Sequence, residues 1–202
     1  MHLIVYSDYL CPWCYNAAVR MRRLEDEFGE ALRIEWRSFL LRPDRRSGRD
    51  LEKFRAYTQS WQRPGEQADA GEFCPWQGHA GPPTHSAPPH QVAKAAARLG
   101  DAAFRRMHER LLRAYFSESR DVTDPETLRE LWVDAGLPEA AFGSWKDPQL
   151  LGQVHDEHRE ALEVGVTGVP AVRMVGIDAV VVGAQPLETY RRWVERFRAK
   201  EA

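Results

Sequence analysis

The N-terminal segment constrains the fold most, because it places one helix between two strands. Residues 3–6 form a short apolar run typical of a buried strand. Residues 12–28 carry apolar side chains at helical spacing, and Gly29 follows as a stop signal. Residues 32–37 then alternate apolar and polar side chains, which predicts a second strand. Strands joined through a helix pair in parallel, so this segment predicts a βαβ unit.

The middle of the chain predicts helices on either side of a long loop. Residues 50–61 favour one helix, whereas residues 62–89 are rich in Gly, Pro and His and show no clear period. A loop of that length in a compact domain indicates function or mobility. Asp124 and Asp147 each precede a proline, the pattern of an N-cap followed by proline at the first helical position. The helices predicted beyond the loop are residues 91–99, 102–116, 125–135, 138–145 and 148–164.

The C-terminal segment returns to strands and ends in a helix. Residues 171–175 and 179–182 are rich in β-formers, and residues 176–178 between them suit a hairpin turn. Residues 186–198 predict an amphipathic helix. The sequence therefore predicts an α/β domain of order βαβ…ββα, formed by residues 1–45 and 165–202. An all-helical domain, residues 46–164 with the loop at 62–89, is inserted into it.

Charge and hydropathy argue against several classes of partner. The chain of 202 residues has a net charge of −2, which does not suit a strongly basic nucleic-acid or membrane surface. No apolar run approaches the ~20 residues of a membrane span. The N-terminus lacks a basic leader and a long apolar stretch, so we expect a cytoplasmic protein. Neither nucleic acid nor membrane is expected as a partner.

The chemistry centres on Cys11 and Cys14, which lie where the first predicted strand meets the first predicted helix. Free N–H groups at a helix N-terminus favour an anion, so we expect the pKa of Cys11 to fall from ~8.5 to roughly 3.5–7.5. Cys14 lies one turn further and can close a small disulfide. Cys11 would then attack a substrate disulfide and Cys14 would resolve the mixed disulfide.

Two other interpretations of this cysteine pair remain open, a zinc clip and an inert buried pair. Zinc needs a second pair of ligands, and only Cys74 remains, with His79, His85 and His90 nearby. Redox chemistry is therefore favoured, with neither a metal nor a separate cofactor. Cys74 is interpreted as a free thiol in a mobile loop, with an extra redox thiol or a metal ligand beside His79 as alternatives. The aromatic residues Phe73 and Trp76 beside it nevertheless favour a loop that is anchored by packing.

A second motif, VTGVP at residues 166–170, precedes the strand that begins at Ala171. Alone it is compatible with an ordinary helix-to-strand loop. Combined with the cysteine pair, it is a much stronger signal, and a cis peptide bond at Pro170 would present the Val169 backbone beside the thiols. An extended substrate could pair there as an added strand. We expect the substrate to contact four residues: Pro12, Trp13, Val169 and Pro170.

The stretches SDYLCPWCY and VTGVPAV, with a helical block between them, resemble the DsbA-like thioredoxin-fold disulfide oxidoreductases, in particular their FrnE-like branch. The resemblance implies a thioredoxin-like fold with an inserted helical domain. It also implies Cys11 as the exposed nucleophile, Cys14 as the resolving thiol and Pro170 as a cis-proline. Substrates would be protein or small-molecule disulfides and thiols.

Two other functions stay open beside this one. Related members of the family are glutathione-dependent isomerases or kappa-class transferases, in which Cys11 would activate a bound low-molecular-weight thiol. These typically carry a serine where this chain has Cys11, so the presence of both cysteines favours redox chemistry. The third function is a non-catalytic, chaperone-like module that binds peptides beside Pro170.

The chain departs from thioredoxin in the base that would serve Cys14. Thioredoxin has a buried aspartate six residues before its first active-site cysteine, and Val5 holds that place here. Asp8 is nearer to the pair. It is interpreted as a cap or turn residue, with proton acceptor as the alternative.

Overall fold

The computed structural model describes residues 1–177 and 179–201. The strands are β1 (His2–Ser7), β2 (Arg33–Ser38), β3 (Ala171–Met174) and β4 (Val180–Val182). The helices are α1 (Pro12–Phe28), α2 (Leu51–Thr58), α3 (Gln62–Gly65), α4 (Ala87–Ala97), α5 (Asp101–Phe116), α6 (Pro125–Asp134), α7 (Pro148–Glu163) and α8 (Leu187–Glu201). Short 3₁₀ segments span Gly29–Ala31, Gln59–Trp61 and Glu139–Lys146.

The four strands form one mixed sheet in the order β2-β1-β3-β4. β1 pairs in parallel with β2, and β3 pairs antiparallel with both β1 and β4. The register sets Val5 opposite Trp36, and Ser7 opposite Ser38. The predicted βαβ…ββα order is therefore confirmed. Asp178, in the predicted hairpin turn, lies outside the described residues.

Helices cover both faces of the sheet. On one face, Met21 of α1 and Tyr190 of α8 are completely buried in a cluster with Val5. On the other face, Ala161 of α7 packs in a cluster with Tyr6. Full burial of a large apolar side chain stabilises a fold by about 1.5–3 kcal/mol. The sheet is therefore held between two layers of helices. The chain passes from the C-terminal end of β1 into α1.

The residues between β2 and β3 contain α2 to α7, and their core extends into the β1–α1 junction. Trp61, Trp132 and Phe116 are completely buried there. The same cluster includes Tyr9 and Tyr15, which flank the cysteine pair in sequence. The inserted helices therefore pack directly against the start of α1. The domain boundaries at residues 45/46 and 164/165 stay a prediction.

The long loop predicted at residues 62–89 is shorter in the structure. α3 occupies its start. The prediction that the next helix begins at residue 91 is wrong, because α4 begins at Ala87. Prolines at the start of α4 sit where a helix needs no backbone N–H, so they open the helix instead of breaking it. Ser86 does not cap this helix, because its hydroxyl accepts from the Arg42 N–H at 3.1 Å.

The irregular segment that remains, residues 66–86, is anchored by packing and hydrogen bonds. The Trp76 N–H donates to Thr58 Oγ1 at 2.9 Å, and the Cys74 N–H donates to the Phe116 carbonyl at 2.8 Å. Trp76 is 3% exposed. Phe73 packs edge-on against Tyr15 of α1 at 5.3 Å between ring centroids. This part of the loop is therefore held on the molecule, which confirms the anchoring predicted from Phe73 and Trp76 and contradicts a mobile loop around Cys74.

The long helices are amphipathic. On α5, Met107, Leu111 and Ala114 are buried, whereas Glu109 and Arg113 are exposed. In the part of the chain that the structure describes, no helix combines the length and the hydropathy that crossing a membrane requires.

The two predicted aspartate caps are confirmed, and they yield a test of helix stability. The Asp124 carboxylate accepts from the Thr127 N–H at 2.8 Å, and that of Asp147 accepts from the Gln149 N–H at 2.9 Å. Asp124→Ala should lower the free energy of unfolding by about 1 kcal/mol in urea titrations, since the Thr127 N–H loses its partner. The control is Asp156→Ala, which removes only an exposed ion pair and should cost less than ~0.5 kcal/mol. Equal losses in the two variants would contradict the capping role.

Candidate functional site

Cys11 and Cys14 lie at the turn that leads from β1 into α1. Cys11 is the N-cap residue, with extended backbone angles of φ −99° and ψ 116°, and Pro12 follows at the first helical position. The Cys11 N–H donates to the Asp8 carbonyl at 3.1 Å, and the Cys14 N–H donates to the Cys11 carbonyl at 3.0 Å. Both thiols are free. The local fold thus brings the predicted pair together in its reduced form.

The two thiols differ in exposure, and neither is open to solvent. Cys11 is 5% exposed and Cys14 is 0% exposed. The exposed nucleophile implied by the family resemblance is therefore corrected to a nearly buried one. The physical reason is the segment before β3, which lies over the sulfur: Cys11 Sγ is 3.4 Å from the Val169 carbonyl oxygen. The accessible part of the pair still belongs to Cys11.

The second motif lies beside the first, as predicted. The Val169–Pro170 peptide bond is cis, and the Cys11 thiol donates to the Val169 carbonyl. Pro170 is buried, while Pro12, Trp13 and Val169 are each half-buried around Cys11. The structure therefore gathers these residues around the accessible thiol. Their contact with substrate stays a prediction.

The Cys14 thiol is in a setting that keeps its proton on. Complete burial raises the pKa of Cys14 well above its ordinary value, and the hydrogen bond with Cys11 raises it further. The Asp8 N–H, 3.5 Å from Cys14 Sγ, and the Ser7 hydroxyl act in the opposite direction. Burial therefore favours the protonated form of Cys14.

Asp8 is a buried turn residue. Its carboxylate accepts from the Leu10 N–H at 2.7 Å and from the Leu41 N–H at 2.6 Å, although the side chain is 0% exposed. Burial raises the pKa of Asp8 in spite of these bonds. The bond to Leu10 closes a turn two residues on, and the bond to Leu41 ties that turn to the segment after β2. The turn interpretation made from the sequence agrees with these contacts.

Comparison with known proteins identifies the family. The model of the DSBA-like thioredoxin domain matches residues 2–195. This chain belongs to the DsbA-like thioredoxin family. Its relatives include YwbO of Bacillus subtilis, 26% identical over 213 residues, with 100% of this chain and 99% of that protein covered. Membership supports a general thiol–disulfide oxidoreductase role.

Two solved structures show the same fold. The probable DsbA oxidoreductase SCO1869 from Streptomyces coelicolor is 26% identical, with a TM-score of 0.75 over 97% of this chain and 89% of its own. The cytosolic disulfide reductase DsbM from Pseudomonas aeruginosa is 20% identical, with a TM-score of 0.76 over 99% of this chain and 98% of its own. The thioredoxin-like fold predicted from the two motifs is therefore confirmed.

Sequence reasoning missed a buried cluster next to the cysteine turn of this DsbA-like chain. The Tyr9 hydroxyl lies 2.8 Å from His108 Nδ1, and its ring packs edge-on against His90 at 4.9 Å. His108 also packs on Trp36 at 4.4 Å. Burial lowers the pKa of His90 well below its ordinary value and that of His108 to about 3, so both rings are neutral. The available signal was the placement of two histidines within otherwise apolar helix faces.

Cys74 and the neighbouring histidines do not assemble into a metal site. His79 is exposed, His85 bonds Thr84 at 2.9 Å, and His90 is buried within α4. Across residues 1–177 and 179–201, no group of three or more His, Cys, Asp or Glu side chains could hold a metal ion. Cys74 is half-buried and free in its anchored segment.

The site predicts an order of alkylation. Brief treatment with iodoacetamide near neutral pH should modify Cys11 well before Cys14, because Cys11 caps a helix N-terminus and Cys14 is sealed from solvent. Peptide mass spectrometry after quenching measures the order. The Cys11→Ser variant is the control, and its Cys14 should stay unmodified over the same time. Modification of Cys14 or Cys74 before Cys11 would overturn the assignment.

Proposed function

We propose that the protein is a thiol–disulfide oxidoreductase that acts through Cys11 and Cys14 on protein or small-molecule disulfides. The observation that carries the proposal is the unequal pair: a partly accessible thiol at a helix N-terminus, backed by a sealed and protonated one. The cis peptide bond beside Cys11 supports it. A cytoplasmic location and membership of the FrnE-like branch are parts of the same proposal.

The reaction begins at Cys11. Its thiolate attacks one sulfur of a substrate disulfide, so that the substrate S–S bond breaks as a mixed disulfide forms. One half of the substrate leaves as a thiolate and takes up a proton. The partial positive charge at the start of α1 stabilises the attacking anion.

Cys14 completes the exchange. It loses its proton, and its sulfur attacks Cys11 in the mixed disulfide. A Cys11–Cys14 disulfide forms, and the second half of the substrate leaves as a thiolate. The substrate is thereby reduced by two electrons, and the same steps in reverse oxidise a dithiol.

Substrate binding is proposed at the rim around Cys11. In the reduced protein the Cys11 thiol donates to the Val169 carbonyl. A thiolate has no proton to donate, so ionisation of Cys11 would leave that carbonyl for the N–H of an extended substrate, as in strand addition. Pro12 and Trp13, which follow Cys11 in the sequence, are half-buried and would contact the substrate chain.

Insulin reduction with dithiothreitol tests the proposal. Cys11→Ser should abolish the catalysed rate, since the attacking sulfur is gone. Cys74→Ser is the matched thiol control and should keep most of the rate, because its segment is anchored by the Cys74 N–H bond to Phe116 and by Trp76.

Other outcomes identify the alternatives. Loss of activity in Cys74→Ser as complete as in Cys11→Ser would mean that three thiols take part. Undiminished peptide binding by Cys11→Ser, with no reductase activity in the native protein, would support the peptide-binding module. Activity that depends on added glutathione, without any Cys11–Cys14 disulfide, would support the isomerase or transferase class.

A further inference from the structure

The second step of the proposed reaction requires a route for a proton. Cys14 must lose its proton to attack, yet its side chain is 0% exposed. The Asp8 carboxylate accepts from the N–H groups of Leu10 and Leu41, and it is the Asp8 backbone N–H that lies 3.5 Å from Cys14 Sγ. A buried thiol without an open path to solvent would ionise slowly unless a neighbouring group accepts its proton. The inference below rests on the proposed function.

Ser7 is the residue that connects Cys14 to a nearby cavity. Its hydroxyl lies near enough to Cys14 to lower the pKa of that thiol. Ser7 ends β1, and the parallel register pairs it with Ser38 at the end of β2. Side chains of directly paired residues lie on the same face of a sheet. The two serines therefore stand side by side on the face that α1 covers.

A small cavity adjoins this pair of serines. Its volume is about 20 Å³, and its lining includes Ser7, Tyr9, Ser38, His90 and His108. A space of that size can hold one water molecule. Three of the lining side chains carry a buried polar atom that has no hydrogen-bond partner among the described residues: Ser38 Oγ, His90 Nε2 and His108 Nε2. Buried polar atoms almost always have a hydrogen-bond partner, so we expect a water molecule in this cavity to bind these three atoms.

The tautomers of the two histidines suit a water molecule. His90 hydrogen-bonds the Phe39 carbonyl, which can only accept, so the ring donates from Nδ1 and keeps a lone pair on Nε2. The Tyr9 hydroxyl and His108 Nδ1 share a hydrogen bond, and with the hydroxyl as donor the His108 proton is on Nε2. His90 then offers an acceptor and His108 a donor, and both residues line the small cavity.

The small cavity borders a larger cleft. That cleft has a volume of about 1070 Å³, and four residues line both spaces: Trp36, Lys94, Phe104 and His108. The charges at this border are paired, since Lys94 Nζ lies 2.6 Å from Glu157. A proton that reaches the small cavity thus has a short way to the cleft.

We propose that Ser7 and the polar cavity carry the proton that Cys14 loses when it attacks the mixed disulfide. The Cys14 proton passes to Ser7 Oγ as the Ser7 proton passes to the cavity water, and that water releases a proton towards the cleft. The departing substrate thiolate takes up a proton from solvent, so protons balance over the step. The neutral histidines and Ser38 hold the water in place and store no charge.

A chromogenic aromatic disulfide, dithiobis-nitrobenzoate, separates the two chemical steps. Attack by Cys11 releases one coloured thiolate at a rate proportional to reagent concentration. Attack by Cys14 releases a second at a rate independent of it. The experiment uses the full chain carrying Cys74→Ser, which removes the third thiol, and follows both phases by stopped flow.

Ser7→Ala should slow the second phase by at least about tenfold and leave the first within about twofold, since a positioned proton transfer contributes on the order of 10²–10⁴ in rate. Ser7→Thr keeps a hydroxyl and should restore the second phase. The matched control is Thr58→Val, which removes a fully buried hydroxyl remote from the cavity lining and should change neither phase selectively. Equal slowing of both phases by Ser7→Ala, or no slowing of the second, would overturn the proposal.

Ser38→Ala separates the relay from a direct effect on Cys14. Ser38 faces the cavity side of the path, so its loss should also slow the second phase selectively. The double variant Ser7→Ala/Ser38→Ala should be no slower than Ser7→Ala alone, because both serve one path. Slowing by Ser7→Ala with no effect of Ser38→Ala would overturn the proton path, because Ser7 would then act on Cys14 alone. Release of a single thiolate by the parent protein would instead refute the proposed function itself.

Discussion

The turn between β1 and α1 is the constraint on which the site depends. The Asp8 carbonyl accepts from the Cys11 N–H, and the Asp8 carboxylate fixes the backbone at Leu10 and Leu41. These bonds place Cys11 at the N-cap of α1. Tyr9, inside the same turn, is buried in the core of the inserted helices. One short segment thus joins the sheet, the first helix and the insertion, and it sets the positions of both sulfurs.

The inequality of the two cysteines follows from that placement. Cys11 lies at the N-terminus of α1, in contact with the Val169 carbonyl, and retains a small accessible surface. Cys14 lies one turn deeper, where burial raises its pKa. In the proposed reaction, Cys11 reacts with the substrate, and Cys14 keeps its proton until the mixed disulfide has formed. The same burial that protects Cys14 creates the need for Ser7 and the polar cavity behind it.

Local patterns predicted much of the fold, and contacts between distant segments explain what they missed. The βαβ unit, the caps at Asp124 and Asp147, and the cis bond before Pro170 were readable because each depends on neighbours in sequence or on a recognised motif. The predicted start of α4 was wrong, because prolines are typical of loops and here they occupy the first turn of the helix. The near burial of Cys11 depends on the Val169 segment, far away in the chain, as the histidine cluster depends on Tyr9.

The central claim is that Cys11 and Cys14 form a reversible redox couple. Equilibration of the full chain in reduced and oxidised glutathione at varied ratios, followed by acid quenching and peptide mass spectrometry, tests it directly. A Cys11–Cys14 disulfide that forms and disappears reversibly with the ratio, with Cys74 still free, is the predicted result. Accumulation of a glutathione mixed disulfide on Cys11 with no Cys11–Cys14 bond at any ratio would contradict the claim.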